Sequence, residues 1–128
     1  MEHRESETML TTDVAQMYAD GQRDFTHTDI RDPKDARPLR ESSLNDADFT
    51  DSFIVADFSR CSLKQARFVR ANIKTCRFEV ADLRGADFSC AALDGATFAG
   101  AHLTGATFTG ATEQGHIYAA GEFPTTTP

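Results

Sequence analysis

The stretch Ala81–Gly110, ADLRGADFSCAALDGATFAGAHLTGATFTG, decides the fold. It is six copies of one five-residue unit: a small residue, a polar one, Leu or Phe, then two mostly polar or small residues. With the large apolar residue taken as centre, centres fall at Phe58, Leu63, Phe68, Ile73, Phe78, Leu83, Phe88, Leu93, Phe98, Leu103 and Phe108 without a slip. Two residues before each centre stands Ala or Cys, from Ala56 through Cys61 and Cys76 to Ala106.

A period of five excludes a helix, because centres would spiral by about 140° and form no stripe. In a strand, residues two apart share a face, which explains the inward pair of small and large residues. The next inward residue comes three after the centre, so the phase slips once per unit. A bend at every unit makes a coil. Phe alternates with Leu or Ile, so the pattern repeats every ten residues. Three sides would mix shapes in each column. Four sides stack Phe58, Phe78 and Phe98; Leu63, Leu83 and Leu103; Phe68, Phe88 and Phe108; and Ile73 with Leu93. A coil of about twenty residues is therefore expected.

On these units the chain resembles the pentapeptide-repeat proteins, most specifically over Ala56–Gly110 and more loosely back to Phe25. The resemblance implies an all-β solenoid: a right-handed, four-sided β-helix, with a short capping α-helix before it. The stretch YADGQRDFTHTDI also resembles the helix and first coil that precede the repeats in many members. The expected organisation is a tail and capping helix over 1–24, the coil over 25–112 in about four to five turns, and a C-terminal cap and tail over 113–128. The family includes proteins that mimic DNA and protect type II topoisomerases, and some that join end to end.

At 128 residues and a net charge of −7, one acidic domain is expected, which argues against nucleic acid as partner. No run of 18 apolar residues is present, so no membrane span is expected. The start, MEHRESETML, reads as no signal peptide. Cys61 and Cys76 read as small core residues and Cys90 as a corner residue, with no disulfide framework, consistent with a cytoplasmic protein.

Residues 1–10 read as frayed, and Thr12 or Asp13 as the cap of a short helix, with Gln16 at capping-box spacing and Gly21 as its stop. Phe25 and Ile30 begin the coil, RDPKDARP forms a loop, and Leu39, Leu44 and Phe49 resume the register. Phe49 to Phe58 spans nine residues where ten are expected. With Ile54 as centre, Ser52 points inward and Phe53 and Val55 outward; the alternative would bury Asp51. After Phe108 the register fades into a partial coil and a folded-over tail. PTTTP reads as disordered.

The candidate protein-binding patch is Phe53 with Val55, since exposed apolar neighbours are unusual on such a surface. Arg60, Lys64, Arg67, Arg70, Lys74 and Arg77 form a basic belt with no acid between Phe58 and Phe78. The belt reads less as an anion site than as a ladder of ion pairs: Glu41 with Arg60, Asp48 and Asp87 with Arg67, Asp57 with Arg77, and Asp94 with Lys74. Residues 1–36 carry nine acids against four bases and read as a solvated cap. His3, His27, His102 and His116 show neither metal-ligand spacing nor a partner nucleophile. No cofactor, metal or catalytic residue is expected. The functional expectation is a non-enzymatic protein-binding or scaffold module, a monomer or an end-to-end homodimer through the C-terminal coil. The alternative is a DNA-mimicking binder of a type II topoisomerase such as gyrase.

Overall fold

Every fifth residue turns the chain. In the computed structural model, which describes residues 8–127, Arg60, Gln65, Arg70, Thr75, Val80 and Cys90 have φ between 56° and 64°, and Gly85, Gly95, Gly100, Gly105 and Gly110 between 72° and 79°. These are left-handed conformations, costing roughly 1–2 kcal/mol for a residue with a Cβ. Hydrogen bonds between rungs offset the cost. The corner N–H groups of Gln65, Arg70 and Val80 donate to the carbonyls of Arg84, Ser89 and Ala99 on the next rung, at 3.0, 2.9 and 2.9 Å.

Between corners, the polar residue of each unit forms a parallel bridge with the residue one rung on. The spacing is twenty residues in the regular part: Asp57 with Arg77, Ser62 with Asp82, Arg67 with Asp87, and onward to Ala92 with Thr112. Four five-residue units thus make one rung. The spacing is nineteen just before that part, from Ser43 with Ser62 to Phe53 with Asn72. The first rung is longer, with Asp24 bridged to Asp48, because Ile30 and Leu39 stand nine residues apart and the loop between them leaves the coil.

Two interlocked phenylalanine ladders fill the interior. Phe25, Phe49, Phe68, Phe88 and Phe108 stack with ring centroids 4.7–5.5 Å apart. Phe58, Phe78 and Phe98 form a second column at 5.2 and 5.1 Å. From Phe58 to Phe108 the columns meet edge to face at 5.6–5.8 Å. Such pairs add about 0.5–1.5 kcal/mol each beyond burial. Ile30, Ile54, Ile73 and Leu93 are buried as well. Cys61 and Cys76 are buried where other units carry Ala, and desolvation pushes both thiols up to about 12. Cys90 is exposed.

The named elements lie at the ends. β1 (Thr8–Leu10), β2 (Asp29–Arg31) and β3 (Phe53–Val55) form a parallel sheet in that order, and α1 (Thr11–Ala19) follows β1. Residues 8–10, expected to fray, are therefore a strand; the rest of the expected tail, 1–7, lies outside the described residues. The helix also begins earlier than the cap signals suggest. Leu10 stands at its N-cap, and Asp13 accepts the Leu10 N–H from within the first turn at 3.1 Å. Gln16 reaches forward to Asp20 instead of back. Val14 packs into the core, and Gly21, at φ 105°, ends the helix as expected. At the other end, β4 (Thr112–Glu113) and β5 (His116–Ile117) form an antiparallel hairpin. Tyr118 and Phe123 lie against Phe108. The terminal segment is not loose: Pro124 is buried and the Gly100 N–H donates to Thr126 O at 2.7 Å.

Phe68 touches both ladders, so Phe68→Ala is expected to cost about 3–5 kcal/mol, a large share of a small domain's stability. Urea denaturation measures it; a loss below about 1 kcal/mol would contradict this account of the core.

Candidate functional site

The register break builds a surface that differs from the regular part of the coil. In a regular unit the centre's carbonyl accepts the N–H three residues on, as Leu63 O does from Ala66 at 3.1 Å. Ile54 stands one residue too close to the next unit for that turn. Its carbonyl takes the Cys76 S–H instead, at 3.1 Å. Asp57 has the complementary problem. Its counterpart Arg67 donates its N–H to Ala47 O on the rung before, but the Arg31–Pro38 loop has left the coil below Asp57. Asp32 closes that gap: Oδ2 accepts the Asp57 N–H at 2.9 Å, while Oδ1 accepts the buried Thr11 hydroxyl at 2.7 Å. The Asp32 N–H donates to Val55 O at 3.1 Å. One carboxylate thus ties the helix start, the loop and the break together.

The shortened unit runs extended as β3, paired Asp29↔Phe53, Ile30↔Ile54 and Arg31↔Val55. Strand alternation then decides the faces. Ile54 is 1% exposed, while Phe53 and Val55 turn outward at 42% and 38%. Ser52 faces in, where its hydroxyl donates to Phe25 O at 2.7 Å and accepts the Thr28 N–H at 3.1 Å. Leu10 of β1 is also exposed. The Arg31 guanidinium lies 5.2 Å from the Phe53 ring centroid, steered by Asp29 at 3.1 Å.

The basic belt does not hold together as one site. Arg67 pairs with Asp48 at 3.9 Å and, on the other side, shares a backbone β-bridge with Asp87 without a direct ion pair. Burial raises the Asp87 carboxyl, but bonds from Ser89 and Thr107 and the Arg67 charge outweigh it, so the net shift is downward. Arg70 binds Asp51 with both nitrogens, at 2.8 and 3.0 Å, which holds that carboxyl below the usual range. The other expected pairs do not form among the described residues. Arg77 turns to Glu79 on its own rung at 3.2 Å, while Asp57 accepts the Ser59 N–H at 2.9 Å and has Arg40 3.8 Å away. Asp94 accepts the Gln114 N–H rather than meeting Lys74. Arg60 and Glu41 likewise make no ion pair.

A groove of about 410 Å³ runs between the loop and β3, lined by Arg31, Lys34, Arg37, Val55, Ala56 and Arg77 among others. A second hollow, bordered by Arg40, adjoins it. Reading the belt as consecutive bases missed this grouping. The signal was the excursion after Ile30, which brings Lys34 and Arg37 round to Arg77 from a different rung. Among the described residues no three His, Cys, Asp or Glu side chains are placed to hold a metal ion. No helix there is long and apolar enough to cross a membrane.

A family model of pentapeptide repeats, in eight copies, matches residues 53–89 and 76–112. No curated protein matches the sequence. The crystal structure of the pentapeptide repeat protein Rfr23 from the cyanobacterium Cyanothece 51142 superposes with a TM-score of 0.62 at 23% identity, covering 71% of this chain and 60% of that one. This chain thus matches about three-fifths of that protein's length. A pentapeptide repeat protein from the Arabidopsis thaliana thylakoid lumen shares 29% identity over 70% of this chain and 66% of its own, with a TM-score of 0.40. QnrB1, a plasmid-mediated fluoroquinolone resistance protein, shares 18% over 69% and 56%, with a TM-score of 0.35. The likeness to Rfr23 bears on the fold alone.

Asp32→Ala would leave the Thr11 hydroxyl and the Asp57 amide without partners. Each orphaned buried group costs about 1–3 kcal/mol. Thermal denaturation of Asp32→Ala is expected to show a destabilisation of roughly 2–3 kcal/mol; a change below about 0.5 kcal/mol would show that the break is held by something else.

Proposed function

The chain belongs to the pentapeptide-repeat proteins, and on that footing we propose that it is a non-enzymatic protein-binding module whose partner docks on the outer face of β1–β2–β3. The observation that carries the reading is the pair Phe53 and Val55, at 42% and 38% exposure, side by side on an extended sheet. Large apolar side chains held outward by strand geometry are a docking feature when their neighbours are polar. A core filled by stacked rings leaves only open hollows on the outside, which favours binding over catalysis. We take the coil to be right-handed and four-sided, so this face is one flat side of it.

We propose a second contact at the C-terminal end. The N–H groups of Phe98, Leu103, Gly105 and Phe108 have no partner among the described residues, and Ile117 and Phe123 are exposed beside them. An unpaired rung edge of this kind suits end-to-end pairing with a second copy. The topoisomerase-binding alternative draws less support. Four to five rungs at about 4.8 Å give a rod of only about 20–25 Å, and Asp48 and Asp51 are matched by Arg67 and Arg70.

The test is partner capture on immobilised protein, wild type against Phe53→Asp. Substitution at an exposed site leaves the fold intact, so loss of the captured partner supports the reading. Retention of every wild-type partner removes it.

A further inference from the structure

We propose that the groove beside β3 recognises an acidic protein segment carrying apolar side chains; this rests on the protein-binding reading and specifies the partner's chemistry. The chain carries a net −7, yet five bases and three acids line the groove and its adjoining hollow. Two of those acids are already engaged. Asp32 holds the Thr11 hydroxyl and the Asp57 N–H, and Asp57 is only 11% exposed at its side chain, with Arg40 3.8 Å away. Asp35 alone faces the opening without a hydrogen bond among the described residues. Two of the bases are engaged as well, Arg31 by Asp29 and Arg40 by Asp57, but the other three are differently placed. Lys34 makes no ion pair there, and the Arg37 guanidinium donates only to Ala36 O, at 3.0 Å. Arg77 is 62% exposed at its side chain, and its Glu79 contact uses one nitrogen.

Planar guanidinium forks pair with carboxylates through two parallel bonds. The floor between these forks is apolar, formed by Val55 and Ala56 and continuous with Phe53 on the same strand. An acidic segment with aliphatic side chains satisfies both features at once. A nucleic-acid backbone does not, because Asp35 stands in the opening and a phosphate backbone brings no aliphatic side chain to the apolar floor. Arg67 and Arg70, outside the groove, are already held by Asp48 and Asp51.

The test is fluorescence anisotropy with the full chain and a labelled peptide Gly-Glu-Leu-Glu-Glu-Leu-Glu-Gly. Its controls are the same peptide with Lys in place of Glu and an oligothymidylate of equal charge. The acidic peptide is expected to bind and the lysine peptide not. Arg37→Gln with Arg77→Gln should weaken binding about tenfold or more, the scale of losing charge-assisted hydrogen bonds. Raising the salt from about 50 to about 300 mM should weaken wild-type binding too, a readout that needs no variant. No binding, equal binding of the lysine peptide, tighter binding of the oligonucleotide, or affinity unmoved by both the double variant and salt would each overturn the proposal. If the peptide fails while Phe53→Asp still abolishes partner capture, the groove assignment falls and the protein-binding reading stands. If the peptide binds through Arg37 and Arg77 while Phe53→Asp captures every partner, the β-sheet face is the wrong surface and the groove remains.

Discussion

The left-handed corner at every fifth residue is the constraint on which this structure depends. Only that conformation lets a small-polar-large triplet run as strand and then turn within two residues. Each non-glycine corner from Arg60 to Cys90 is held by its N–H bond to the next rung, whereas a glycine corner such as Gly105 stands without one. Toward the C-terminus glycine takes over, and the left-handed φ of 72–79° is the reason, since glycine adopts it without a Cβ penalty. A Cβ on Gly85 would meet only the flexible end of the Gln65 side chain, which can swing aside. Val80, β-branched at φ 60°, shows that the rung bonds can hold even an unsuited residue in place.

Coiling has a consequence for function. The phenylalanine ladders consume the interior, so chemistry is left to the outer sides and to the places where the repeat fails. Only one such failure reshapes a side. The four-residue excursion after Ile30 and the missing residue near Ile54 lie one above the other, and Asp32 repairs both. The repair leaves an extended strand with two apolar side chains outside, and a loop whose bases lean over its edge. Fold and candidate site are thus one event: losing a residue from the repeat creates the surface.

Much of this was legible in the sequence because the five-residue count is unforgiving. Phase narrowed the centre to Phe53 or Ile54, the cost of burying Asp51 put Ile54 inside with Phe53 and Val55 outside, and Phe–Leu alternation gave the stacking columns. What could not be read was side-chain direction on the surface. Asp57 and Arg77 are bridged as the count requires, but Asp57 caps Ser59 beside Arg40 and Arg77 turns to Glu79. Charge pairing along a ladder depends on such local competition, which spacing does not encode. The ends were harder still. Thr8–Leu10 carries no repeat signal and is a strand only because β2 offers it an edge. Pro124–Thr126 is fixed only by a coil end that needs covering. The roles of Cys61 and Cys76 were half visible: both fill an alanine position, but spacing does not show that their S–H groups donate to Leu39 O and Ile54 O.

Amide hydrogen exchange tests the central claim most directly. The amides of Leu63, Phe68, Phe78 and Phe88 each donate to the next rung, to Asp82, Asp87, Thr97 and Thr107. They should exchange slowly and together, on the scale of global unfolding. At concentrations low enough to keep the chain monomeric, those of Phe98, Leu103 and Phe108, which face the open end, should exchange faster by orders of magnitude. Equal rates across Phe68 and Leu103 under those conditions, or slow exchange confined to a few isolated segments, would contradict a coil held rung by rung.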